Sequence, residues 1–142
     1  MSRKLLVLAF ALVLMPFAWS HAAASGPRTI TVAPTGDYHT IQDGVNAAAP
    51  GDIVLIAAGS YQEEVSVATP GITVMGVDRE SVSLDGADVL GNAFTVTATN
   101  VTLASMTATH SASNGFVFTR VDGCHWIDLH AKDNGEYGLY GV

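Results

Sequence analysis

From Ile53 onward the chain alternates apolar and polar residues over short runs. "ITVMG", "FTVTA" and "FVFTR" each place one side chain on one face and the next on the other. That period of two is the mark of a strand with one buried face. The runs recur at a nearly fixed distance. Ile72 and Val74 are followed 22 residues later by Phe94 and Val96, and 22 residues after that by Phe116 and Phe118. Leu84, Met106 and Leu129 form a second series, and Leu103 and Trp126 a third. Short strands at such a repeat predict a solenoid in which equivalent residues stack. Helical periodicity and a Leu-x-x-Leu-x-Leu frame are both missing after residue 50. The expected fold is therefore all-β: a right-handed, single-stranded parallel β-helix with coils of about 22 residues.

The polar residues between the runs repeat as well. Asp78, Asn100 and Asp122 are spaced by 22 and 22, and so are Asn92 and Asn114. Asn and Asp tolerate left-handed backbone and bond to their own main chain, so they suit tight bends between stacked strands. One segment breaks the strand pattern. Thr40 stands as an N-cap before Ile41–Ala49, with Asp43 three residues on as part of a capping box. Ile41, Val45 and Ala48 share a face, and Pro50-Gly51 ends the helix. A solenoid end exposes strand edges and an open core, so this helix is expected to cover the N-terminal end. Ile53–Ile56 and Val65–Val67 then open the first coils.

The first residues follow another logic. Arg3 and Lys4 precede an apolar run from Leu5 to Trp19, and Ala22-Ala23-Ala24 follows. This is the three-part pattern of a secretory leader, expected over residues 1–24. The β-helix domain is expected over 25–142, without a membrane span and secreted, periplasmic or at the cell surface. The sequence stops at Gly141-Val142 inside a strand pattern, as if C-terminal coils or a cap were lacking, and an open end makes end-to-end self-association plausible. The chain carries 13 acidic against 6 basic residues, a net charge of -7. Such a surface repels phosphate backbones, which argues against nucleic acid as a partner. It also repels polyuronates unless a divalent cation such as calcium bridges the two. The one cysteine, Cys124, cannot form an internal disulfide and reads as a small packed hydrophobe.

The stretch "ITVAPTGDYHTIQDGVNAAAPGDIVLIAAGSYQEEVSV" resembles the N-terminal segment of pectin-lyase-like β-helix proteins. There a helix-capped first coil is followed by a Gly-x-Tyr-x-Glu stretch, here Gly59 to Glu63. Tyr61 and Glu63 are read as structure of that coil. "GITVMGVDRESVSLDG" and "NGFVFTRVDG" look more like bacterial right-handed parallel β-helix repeat proteins, which include relatives of the periplasmic copper-site factor NosD. The resemblance implies recognition or processing of an extracellular polysaccharide. An enzyme of this kind would be a polysaccharide lyase or a carbohydrate esterase or hydrolase. The alternative is a non-catalytic scaffold or a NosD-like accessory protein for a metal site. The family's esterase motifs do not occur after Val65. Of the bases available in the coils, Arg79, Arg120 and Lys132, none stands in a recognisable lyase motif.

Three clusters are candidates for chemistry. Asp88, His110 and Asp133 are spaced by 22 and 23, and would stack as a carboxylate–imidazole–carboxylate column able to move a proton or hold a cation. His125, Asp128 and His130 combine imidazole and carboxylate, the ligands a divalent metal favours. His125 follows Thr102 and His130 follows Thr107 one coil earlier, so no column of histidines is expected. Tyr137 and Tyr140 could stack against a sugar ring, with Tyr140 outward in line with Val117 and Thr95. Each cluster also has a structural reading, as solvated turn or strand-surface residues.

Overall fold

The computed structural model describes residues 26–142. The leader expected over 1–24 lies outside the described residues. The chain runs β1 (Thr29–Val32), α1 (Ile41–Ala47), β2 (Ile53–Ile56), β3 (Gly59–Tyr61), β4 (Val65–Val67), β5 (Thr73–Gly76), β6 (Val82–Asp85), β7 (Phe94–Val96), β8 (Thr102–Thr109), β9 (Asn114–Phe118), β10 (His125–Lys132) and β11 (Tyr137–Gly141). Every strand pairing is parallel. One face stacks β1, β2, β5, β8 and β10 in that order. A second stacks β3, β6 and the later half of β8, and a third stacks β4, β7, β9 and β11. The described residues form a parallel β-helix with one short helix.

The interior is built from stacked columns. Ile30, Val54, Val74 and Leu103 lie in register on one face and are buried. Val65, Phe94 and Phe116 do the same on another, with the two Phe rings stacked at 5.8 Å. Trp126 continues the first column but is 46 % exposed, resting on Phe118 at 4.3 Å. It belongs to the coil that carries β10 and β11.

Two of the expected columns are corrected. Ile72 and Val74 do not lead to Phe94 and Val96. Val74 stacks under Leu103, while Phe94 and Val96 stack on Val65 and Val67. Leu84 stacks with Ala108 and not with Met106, although Met106 and Leu129 do pair. The cause is a long third coil. Thr73 reaches its partner Thr102 only after loops at Val77–Ser81 and Gly86–Ala93, whereas β8 turns the first of these corners at the single residue Ser105. The 22-residue step from Ile72 to Phe94 joins two different faces. It is regular only farther on, as from Phe94 to Phe116.

The corners are made by left-handed backbone. Gly51, Gly71, Asn100 and Gly123 occupy one corner on successive coils, at φ 95, 70, 57 and 65°. Glycine takes this conformation freely and asparagine is the commonest substitute. Asn100 N–H donates to the Asp122 carbonyl on the next coil at 2.9 Å, so those two residues share a corner as expected. Asp78 does not join them. It sits between β5 and β6, where its carboxylate accepts from the Glu80 and Ser81 amides. The Asn92–Asn114 ladder is present: Asn114 Nδ2 donates to Asn92 Oδ1 at 2.9 Å.

The N-terminal end is closed by α1, two residues shorter at its end than the Ile41–Ala49 expected. Thr40 Oγ1 accepts from Asp43 N–H at 3.1 Å, as an N-cap should. Ile41 and Val45 are buried under the helix. Gly44 lets the helix lie close: a side chain there would run into Val32. Gln42 completes the plug. Its Oε1 accepts from the Ser66 amide at 2.7 Å and its Nε2 donates to the Ser66 carbonyl at 3.2 Å. One side-chain amide thus stands in for the neighbouring strand that β4 lacks on this side.

A buried carboxylate anchors the same end. Asp52 is 3 % exposed and accepts from the Arg28 amide, Arg28 Nε, Arg28 Nη2 and the Ala49 amide. These bonds, the guanidinium first, hold its carboxyl well below the usual carboxylate range. A carboxyl depressed in the folded state stabilises it above the unfolded value of about 4, and loses that contribution as pH falls below it. Thermal unfolding of the parent should therefore weaken steeply below about pH 4. Asp52→Asn should be less stable at pH 7 and flatten that acid slope. Parallel slopes for both proteins would contradict the role given to Asp52.

Candidate functional site

Asp88, His110 and Asp133 do meet, but through their backbones. His110 N–H donates to the Asp133 carbonyl at 3.1 Å, and Asp88 N–H donates to the His110 carbonyl at 2.7 Å. All three have positive φ, at 57, 50 and 54°. They form a corner of the solenoid in the left-handed conformation that Asp and, to a lesser degree, His accept. The His110 imidazole turns to a different carboxylate. Its Nδ1 lies 3.3 Å from Asp85 Oδ1 and 3.3 Å from Thr109 Oγ1. Asp85 also accepts from the Ala87 amide at 3.0 Å, which fixes the carboxylate. An imidazole oriented by a carboxylate can relay a proton. Asp85 escaped the sequence reading because it ends β6, beside Thr109, a register hidden by the long third coil.

His125, Asp128 and His130 lie on one strand, β10, and are all exposed. Asp128 turns a corner at φ 51° between the other two. Its carboxylate is taken by Arg79, whose Nη1 donates to Oδ1 at 2.7 Å. Arg79 also pairs with Glu80 at 2.8 Å, and both acids raise the guanidinium pKa further. Among the described residues no three His, Cys, Asp or Glu side chains are grouped to hold a metal ion. His125 pairs with Thr102 and His130 with Thr107, so the histidines do not stack on others.

Tyr137 and Tyr140 come together. Their rings stack at 5.3 Å with an interplanar angle of 16° and are 56 and 39 % exposed. Tyr140 pairs with Val117, which pairs with Thr95, which pairs with Ser66. These positions alternate with the inward Phe116 and Phe118, so the column lies on the outer side of the third face. The strand pairing holds the two rings at the edge of a rigid face, where little ordering is left to do on binding. A stacked, half-exposed aromatic pair with hydroxyls at its rim offers an apolar plate and polar handles, the combination a sugar ring meets well.

The remaining features serve the fold. A shallow cleft of about 400 Å³ is lined by Arg28, Thr29, Ile30, Asp37, Tyr38 and Ala47. Its charged groups are spent internally, Arg28 on Asp52 and the Ala47 carbonyl, and Asp37 on the Thr31 amide. Tyr61 and Glu63 are structural, as expected. Tyr61 donates to the Ala57 carbonyl at 2.8 Å. Burial raises its phenol pKa, with nearby Glu63 adding to the shift. Glu63 accepts from the Ile41 and Gln42 amides at 2.8 and 2.9 Å, capping α1. Cys124 is half-buried, its thiol directed at the Ala98 carbonyl. Among the described residues no helix is long and apolar enough to cross a membrane.

No protein-family model matches the chain, and no curated protein matches it. Among solved structures, it is similar to a pectin methylesterase variant in complex with a hexasaccharide. The TM-score is 0.56 at 14 % identity, over 84 % of this chain and 50 % of the other. The chain thus spans about half the length of that structure. At this identity the likeness is one of fold.

Proposed function

We propose that this chain works outside the cytoplasm and recognises a polysaccharide along the side of its β-helix. The observation that carries the reading is the stacked, exposed Tyr137–Tyr140 pair at the edge of the third face. The fold likeness to an esterase of pectin bound to a hexasaccharide supports the ligand class. The acidic surface, with a net charge of -7, favours neutral or esterified glycan chains over free polyuronates. The Asp85–His110 pair lies on the neighbouring face and is not assigned a reaction.

Affinity electrophoresis tests the proposal. Gels cast with a neutral plant or bacterial glycan, or with highly esterified pectin, should retard the protein. Gels with polygalacturonate should not. Tyr140→Ala should weaken retardation about tenfold, as loss of one stacking plate worth about 1.4 kcal/mol implies. Equal mobility in every gel, or unchanged retardation of the variant, would remove the Tyr pair as a binding site.

A further inference from the structure

The first face has an outer side that breaks the alternation of a solvated sheet. Strand β2 reads Ile-Val-Leu-Ile. Val54 and Ile56 are inward and fully buried, which leaves Ile53 and Leu55 on the outside. A strand apolar on both sides is the pattern of a parallel sheet covered on both sides. The outer positions run in columns across the ladder. Leu55 stacks between Thr31 and Met75, and Met75 stacks on Ala104. Beside them run Thr29, Ile53, Thr73 and Thr102. None of these eight is charged, although the chain carries 13 acidic and 6 basic residues. The second face differs, with Asp85 and Lys132 in one column on its outer side. Val77, 53 % exposed just past β5, extends the apolar surface, and the Arg79–Glu80 pair follows it in the same loop. An uncharged centre with a charged rim is the make-up of a protein contact surface.

Charge and relief together fit this side to a second copy of the same chain. Copies with a net charge of -7 repel each other, and they approach at least cost through a side that carries none of that charge. The relief is self-complementary. The apolar column is low at Ala104, which is 8 % exposed beside the longer Met75. A two-fold axis lying along the strands, midway between β5 and β8, sets β5 of each copy over β8 of the other. Met75 then fills the dip over Ala104, Thr73 meets Thr102, and Leu55 lies over Ile127, the partner of Ala104 in β10. Each contact occurs twice, once on either side of the axis, as an isologous interface requires. Sheets stacked this way keep their strands aligned and lie about 10 Å apart. Four strands about 4.8 Å apart and four residues of about 3.3 Å make a face of about 20 by 13 Å. That is less than the roughly 800 Å² per partner of a standard interface, so the contact belongs to the weak, reversible class.

We infer that the outer side of the first face, centred on Met75 and Ala104, is the contact surface of a two-fold dimer with a second copy of this chain. Its dissociation constant should be about 10–100 µM, as a contact of this size implies. Sedimentation equilibrium of the purified protein should then move from the single-chain mass toward twice that mass as its concentration rises to about 1 mM, well above that constant. Ala104→Glu places a carboxylate against its own copy's Met75 partner and should raise the dissociation constant at least about thirtyfold, leaving the single-chain mass. Thr95→Glu, on the outer side of the third face, should leave the association unchanged. A second measurement needs no variant. On dilution of the parent protein, the methyl NMR signals of Leu55, Met75 and Ala104 should shift, while those of Val67 and Val96, inside the third face, should not. The single-chain mass at about 1 mM, masses beyond two chains, undiminished association of Ala104→Glu, or dilution shifts away from the first face would overturn the proposal. The polysaccharide reading does not depend on it: Tyr140→Ala is read by retardation in a glycan gel, whatever the mass.

Discussion

Phe116→Ala is expected to lower the unfolding free energy by about 3–5 kcal/mol. Phe116 is 1 % exposed and its ring stacks on Phe94, with Leu139 in register beyond it. Truncation loses the transfer free energy of the ring and leaves a cavity between two coils. The columns above and below cannot close it, because their spacing is fixed by parallel strand pairing. A solenoid adds a second consequence. Each coil is held mainly by its neighbours, so weakening one junction lets the coils beyond it open as a unit. Urea unfolding followed by circular dichroism should show an earlier midpoint. Hydrogen exchange should show β9, β10 and β11 opening before β1, β2 and β4. The outward neighbour on the same face supplies the control, since Thr95→Ala should stay within about 0.5 kcal/mol. Similar losses for both would mean that the face is not divided into an inner and an outer side.

Glu63→Ala is expected to cost about 2–3 kcal/mol, as its one carboxylate satisfies two helix amides, those of Ile41 and Gln42. These are among the amides that no helix can satisfy from within its own turns. The negative charge also suits the N-terminal end of α1. The effect should be local at first. Once α1 lifts, Ile41 and Val45 leave the core and Gln42 leaves the edge of β4. Exchange should then accelerate in β1, α1 and β4 while β8 and β9 stay protected. Glu63→Gln keeps one acceptor oxygen and the same length, so it should lose about half as much. Loss of glycan retardation in Glu63→Ala with unchanged exchange would instead make Glu63 a ligand-binding residue.

These two residues show what the sequence made legible. The Gly-x-Tyr-x-Glu stretch marked the first coil. The Thr40 cap and the apolar face of Ile41, Val45 and Ala48 marked the plug. The alternation of "FTVTA" and "FVFTR" fixed which residues of β7 and β9 face inward, and Phe94 and Phe116 followed. The assignment of runs to faces was harder. All three faces of a β-helix carry the same alternation, so period alone cannot say which face a strand occupies. The long third coil places Ile72 one repeat before Phe94, so the period alone joins strands of two different faces. The corners were legible by composition only in part. Asn100, Asp133 and, to a lesser degree, His110 are usual left-handed residues, but Ser105 and Ala87 are not, and they take φ near 50° because stacked strands demand a sharp bend there. That is why the Asp88–His110–Asp133 column forms a corner while the imidazole meets Asp85. Tyr137 and Tyr140 were legible as aromatic candidates, but their stacking was not, since strand alternation alone sends residues three apart to opposite sides.

The most direct test of the account is a titration of the isotope-labelled protein with an oligosaccharide of the glycan that retards it, followed by amide and aromatic NMR shifts. The account predicts changes confined to Tyr137, Tyr140 and the Ser66–Thr95–Val117 column, with the Asp85–His110 face and the α1 plug silent. Shifts centred on Asp85 and His110, or spread evenly over the surface, would contradict it.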